Sequence, residues 1–243
     1  MTLDRKYSEE SINPKKGIVR VAGLSYIIVI VIGVINAIFI NSRLIIYEDI
    51  NLTINNIIDN EFLFRFGITS ELILYVTVII LSVSLYLILK SVDRNLALLA
   101  LAFRSSEALL GITTVLIGFI VLGLLDNQVN VLSIENTHMI NALLSTRSNG
   151  LYIILFLVGL GGSLFLYLLY KSFYIPRTLS IWGMFTYLSM LILALIGILL
   201  PDHPDLIEII LYSLGTMFEL TIGIWFFFKG ISFQKIQENR DTV

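Results

Sequence analysis

Three charged side chains lie deep inside otherwise apolar runs of this chain: Arg104, Glu107 and Glu219. Arg104 and Glu107 have i, i+3 spacing, so on a helix they share one face. An ionised side chain at the centre of a bilayer costs about 2.5–3.5 kcal/mol on insertion scales. Such groups turn toward the protein interior and find partners there. At 1.5 Å per residue, Arg104 lies roughly 15 Å in from Arg94, and Glu219 lies roughly 15 Å in from Lys229. The expectation is that Arg104 and Glu219 meet near the midplane, with Glu107, roughly 20 Å in, sharing the guanidinium. With all three ionised, one negative charge is left over. A proton on either glutamate would cancel it, as would a hard cation such as Na⁺ or Mg²⁺ held by carboxylate oxygens. Glu71, roughly 28 Å from Lys90, belongs near the opposite boundary, within reach of water. Tyr75, Ser82 and Tyr86 continue its face inward as a polar path.

Arg104, Glu107, Glu219 and Glu71 are therefore the candidates for holding a ligand or ion. Three readings follow. The favoured one is membrane-embedded binding or transport of a small ligand, proton or cation. The second is a structural or accessory membrane protein whose ion pair only fixes helix register. The third is an intramembrane enzyme acting on a lipid with only Glu, Arg and Tyr.

Other chemistry is excluded by residue type. There are no cysteines, so disulfides and thiolate metal sites are absent. The two histidines, His138 and His203, fall in connections outside the apolar runs. That rules out a bis-His haem, a three-His zinc site or a Ser-His-Asp triad within the bundle. His203, in Pro201-Asp202-His203-Pro204-Asp205, reads as a solvated turn. No Gly-rich phosphate loop is present. No catalytic residue, metal set or cofactor is assigned. The net charge of −2 gives no footprint for nucleic acid, and the expected partner is the lipid bilayer.

The elements that must position these residues are plain from composition. Apolar residues make up 57% of the 243 residues and charged ones 14%, and the mean hydropathy is +0.90. Soluble domains carry about 25% charged residues, so this chain is read as an integral membrane protein. A hydrocarbon core of about 30 Å needs about 20 helical residues. Six stretches qualify: 19–40, 62–89, 95–125, 150–169, 180–200 and 206–228. The fold expected is all-α, a single six-helix transmembrane domain over 19–229, between tails at 1–18 and 230–243. All four prolines lie outside the spans. The outer connections at 53–60 and 136–144 mix Ile and Leu with Asn and Thr, and read as short interfacial helices.

Orientation follows the distribution of Lys and Arg. Arg5, Lys6, Lys15, Lys16, Arg20, Lys90, Arg94, Lys171, Arg177, Lys229, Lys235 and Arg240 fall on one side. Arg43, Arg65 and Arg147 fall on the other. Both termini are therefore expected in the cytoplasm, with the protein in the cell membrane.

Each span also carries small or polar residues at helical spacing. Examples are Gly23 and Tyr26, Gly111 and Thr114, Gly183 and Tyr187, and Gly215 and Gly223. Small residues let helix backbones approach closely in lipid.

Several segments carry a family resemblance. They are Ala22-Gly23-x-x-Tyr26, Arg43-Leu44, Phe64-Arg65-x-Gly67 and Arg94-Asn95-Leu96-Ala97-Leu98-Leu99 leading to Arg104. They continue with Ser172-x-Tyr174-x-Pro176-Arg177, then Glu219, Trp225 and Lys229-Gly230. In this order and spacing the chain resembles, over roughly 18–230, the prokaryotic multi-pass membrane family known as domain of unknown function 4386. Ser180 stands where the family pattern often shows glycine. The resemblance implies a bacterial or archaeal membrane protein and no known activity.

Overall fold

The computed structural model describes residues 2–46, 48–126, 133–200 and 203–232. Eight α-helices account for nearly all of these. They are α1 (Thr2–Ile35), α2 (Ser42–Leu44), α3 (Ile50–Asp59), α4 (Glu61–Leu89), α5 (Arg94–Asp126), α6 (Ile134–Ser172), α7 (Arg177–Leu199) and α8 (Asp205–Ile224). π-helical turns join α1 to α2 at Asn36–Asn41 and extend α8 at Trp225–Lys229. Six stretches are long and apolar enough to cross a membrane: Lys16–Leu44, Glu61–Leu89, Arg94–Asp126, Ile134–Ser172, Arg177–Leu199 and Leu206–Lys229. Only helices and closed barrels satisfy every backbone group in lipid, and the apolar runs have no internal proline to break them.

The helix ends follow local chemistry. The Asp49 carboxylate accepts the Leu52 N–H at the start of α3, and Asp93 accepts the N–H groups of Asn95 and Leu96 at the start of α5. Pro176 and Pro204 sit at the N-caps of α7 and α8. Chain reversal after α6 places Phe173 in the left-handed region, at φ 57°. The α8 extension stops at Gly230, with φ 73°.

The spans pack as a ring. Each lies against its neighbour in the order α1, α4, α5, α6, α7, α8, and α8 returns to α1. Glycines set the closest approaches. A Cβ on Gly23 would stand 2.5 Å from the Phe227 nitrogen and 2.8 Å from the Gly223 carbonyl oxygen, so α1 and the end of α8 touch backbone to backbone. The ring has a terminal face, where the first span begins at Lys16 and the last ends at Lys229, and an opposite, far face. Aromatic and aliphatic side chains, among them Tyr26, Phe165, Tyr187, Phe218 and Phe226, fill the terminal-side core.

Two features differ from the sequence reading. The helix expected at 53–60 is present as α3, over Ile50–Asp59. The one expected at 136–144 is not a separate element. It is the first part of α6, which runs unbroken for 39 residues. Ser133 caps that helix by accepting the Asn136 N–H. Gly150 is tolerated inside it, and no proline interrupts it. His138 therefore sits on a helix, not in a loop. At the other end, α1 begins at Thr2, so the segment read as an N-terminal tail continues into the first span. Most of the segment read as a C-terminal tail, from residue 233 onward, lies outside the described residues.

Candidate functional site: a buried charge layer beneath a far-face cavity

Four helices contribute side chains to one level of the ring. Tyr26, Arg104, Tyr187 and Glu219 each lie about ten residues, roughly 15 Å, from a basic residue at the terminal face: Lys16, Arg94, Arg177 and Lys229 respectively. Arg104 is 4% exposed and Glu219 8%. Arg104 Nη1 stands 2.9 Å from Glu107 Oε2. The contact is ionic, for its angle does not make a hydrogen bond, and Glu107 Oε2 has no hydrogen-bond partner among the described residues. Glu219 does not complete the pair. Its Oε1 accepts a 2.8 Å hydrogen bond from the Tyr187 hydroxyl, and the Tyr26 hydroxyl lies 3.5 Å from that of Tyr187.

The expected Arg104–Glu219 contact is thus corrected. The guanidinium is held on its own helix by the i+3 glutamate, and Tyr187 takes the other carboxylate. Arg104 and Glu219 act on one another only as nearby charges. The surroundings are tight. A Cβ on Gly161 would stand 2.7 Å from Arg104 Cγ and 3.1 Å from the Ala100 carbonyl oxygen. Gly162 leaves space that the Tyr187 ring occupies.

Above this layer, toward the far face, lies a cavity of about 150 Å³. That is room for several water molecules. Glu71 and Arg147 form an ion pair in its wall, with Arg147 Nη2 donating at 2.6 Å to both carboxylate oxygens. Thr114 and Tyr75 form its inner end, and Asn141, Ser145 and Ser148 add polar groups from α6. Ile50 and Thr53 of α3 line it too. Thr53 is fixed there because its hydroxyl accepts the Ile46 N–H at 2.8 Å and donates to the Ile46 carbonyl at 3.1 Å. The Tyr75 ring lies flush against Gly111, where a Cβ would collide with it. Gly111 is one helical turn from Glu107. Tyr75 therefore stands between the cavity and the charge layer.

Of the four candidates, Arg104, Glu107 and Glu219 share the buried layer, whereas Glu71 belongs to the cavity. The polar path expected along α4 is not formed. The Ser82 hydroxyl donates back to the Val78 carbonyl, and the α4 face between Tyr75 and Tyr86 is filled by buried Val78, Leu81 and Leu85. Between cavity and layer, one face of α5 carries Thr114, then Gly111 covered by the Tyr75 ring, then Glu107. Arg147 was missed because its segment read as a loop. Tyr187 and Tyr26 were visible as members of inward stripes, but not as hydrogen-bonding groups.

His203 is also corrected. Its side chain is 6% exposed, with Nδ1 at 2.9 Å from the Leu200 carbonyl oxygen and Nε2 at 3.0 Å from Glu208 Oε1. Tyr152 donates to the same Glu208 oxygen at 2.6 Å. The α7–α8 connection is thereby pinned to α6 rather than left in solvent. No group of three or more His, Asp or Glu that could hold a metal occurs among the described residues.

A ring of six apolar helices closing on inward charges defines a multi-pass integral membrane protein. The chain belongs to the family described as Domain of unknown function (DUF4386), which it matches over residues 21–230. No curated protein and no solved structure matches it.

Proposed function

We propose that this protein binds or transports a small ligand, proton or cation, which enters through the far-face cavity and is sensed by the Arg104, Glu107 and Glu219 layer. The observation that carries this reading is a polar cavity separated only by Tyr75 from a buried layer with more carboxylates than cations. Glu107 Oε2 has a guanidinium on one side and no hydrogen-bond donor on the other. With Glu219, the layer holds two carboxylates against one arginine, so an added proton or cation balances its charge. We further propose that the far face points out of the cell and both termini lie in the cytoplasm. The Lys and Arg asymmetry of the sequence supports this.

The test uses the full chain in liposomes loaded with a pH-sensitive dye when a proton gradient is imposed and with a Na⁺-sensitive dye when a Na⁺ gradient is imposed. The expected result is flux above that of empty liposomes, lost in Glu107→Gln and in Glu71→Gln when equal amounts of folded protein are compared. Flux no greater than in empty liposomes under either gradient overturns transport.

A second reading, a purely structural ion pair, is favoured by the close packing of Arg104 on Gly161 and by the bond from Tyr187 to Glu219. Glu219→Gln separates the two. A structural role predicts loss of folded protein, and a transport role predicts normal assembly with lost flux. Unaltered folding and flux would remove both.

A further inference from the structure

A second cavity opens at the terminal face, between the α6–α7 turn and the α8 extension. It is lined by Phe173 to Arg177 on one side, and by Trp225 and Lys229 to Ser232 on the other. A hydrogen bond from the Ser232 N–H to the Tyr174 carbonyl, at 3.0 Å, ties the two sides together. Its charge is all of one sign. Arg177 and Lys229 are exposed, and among the described residues neither has a carboxylate within ion-pair distance. Each is held instead by aromatic faces. The Arg177 guanidinium lies 3.9 Å from the Phe173 ring centroid and 5.0 Å from that of Tyr170. The Lys229 ammonium lies 4.3 Å from the Trp225 ring. Stacking fixes where the cations sit and leaves N–H donors free for an anion.

The position narrows the ligand. Arg177 begins one span and Lys229 ends another, so the cavity lies at the level of the lipid headgroups. Phe228 beside it is 77% exposed, which suits contact with acyl chains. Unpaired Lys and Arg at an interface, flanked by aromatic rings, match the chemistry of an anionic headgroup with its glycerol and chains alongside. We infer that the cavity between the α6–α7 turn and the α8 extension binds the phosphate of an acidic phospholipid, held by Arg177 and Lys229.

Native mass spectrometry of the full chain tests this, using detergent micelles that contain equal phosphatidylglycerol and phosphatidylcholine. The expected result is preferential retention of phosphatidylglycerol by about tenfold or more, the order two basic residues near an anionic lipid provide. Arg177→Gln/Lys229→Gln should abolish the preference, and Lys229→Gln alone should reduce it. Both residues are on the surface, so folding is expected to survive. Arg94→Gln removes the same charge from the same face outside the cavity and should leave the preference intact. Equal retention of the two lipids overturns the proposal. So does an equal loss in Arg94→Gln, which would mean unspecific attraction. Displacement of the lipid by an equal concentration of inorganic phosphate also overturns it, and would make this a site for the free anion.

Discussion

At the scale of single residues, the charge layer has an asymmetry that governs how it responds to substitution. Among the described residues, Arg104 is the only cation in this layer, set against two carboxylates, and Glu107 has no other ion-pair partner. Arg104→Met would leave Glu107 with no counter-charge in a dry environment. Breaking a buried ion pair from one side costs about 3–5 kcal/mol. Replacing both partners by apolar groups of similar size is far milder. Thermal unfolding in detergent should therefore show a large loss for Arg104→Met and recovery of most of it in Arg104→Met/Glu107→Leu. If the double variant is as unstable as the single one, the layer is not organised around this pair. The Arg104–Glu107 contact was legible in the sequence because helical spacing alone puts the two on one face. The Tyr187–Glu219 bond was not. It depends on how α7 and α8 are rotated against each other, which no spacing within one helix specifies.

At the scale of elements, two arrangements decide where the site lies. One is the continuity of α6. A polar stretch with a glycine reads as a surface connection, but neither feature ends a helix that is capped at Ser133 and free of proline. Continuity holds Arg147 rigidly opposite Glu71, which is why the cavity was invisible to a reading that began the fourth span at Gly150. The other is the close approach of α1 and α8, where Gly23 leaves no space for a side chain. The obstacle there is backbone, which cannot move aside as a flexible side chain can. Gly23→Ala is expected to destabilise the ring by about 1–3 kcal/mol through overpacking. Gly150→Ala, with no atom within 4 Å of the new methyl group, should be neutral or stabilising by up to about 1 kcal/mol from helix propensity. Equal effects in a thermal unfolding assay would mean that helix propensity, not the seam between α1 and α8, sets the cost.

At the scale of the whole molecule, the two faces of the ring treat their cations differently. On the far face, Arg65 is paired with Glu61 at 2.5 Å and with Asp126 at 3.3 Å, and Arg147 is paired with Glu71 at 2.6 Å. On the terminal face, Arg177 and Lys229 rest on aromatic rings without a carboxylate. Lys90 stands 5.9 Å from the Tyr86 ring. Uncompensated cations near the ends of apolar helices resist translocation and are drawn to anionic lipid. Of the three far-face arginines, Arg65 and Arg147 are neutralised where they stand, whereas Arg43 is exposed and has no carboxylate within ion-pair distance among the described residues. A fluorescent reporter that matures only in the cytoplasm should be bright when fused after Val243. A phosphatase reporter that is active only outside should work when inserted between Asp126 and Ser133 and fail at the C-terminus. The reverse pattern would place the cavity of Glu71 and Arg147 on the cytoplasmic side. Any solute it admits would then come from within the cell, and the acidic lipid expected at Arg177 and Lys229 would have to be sought in the outer leaflet.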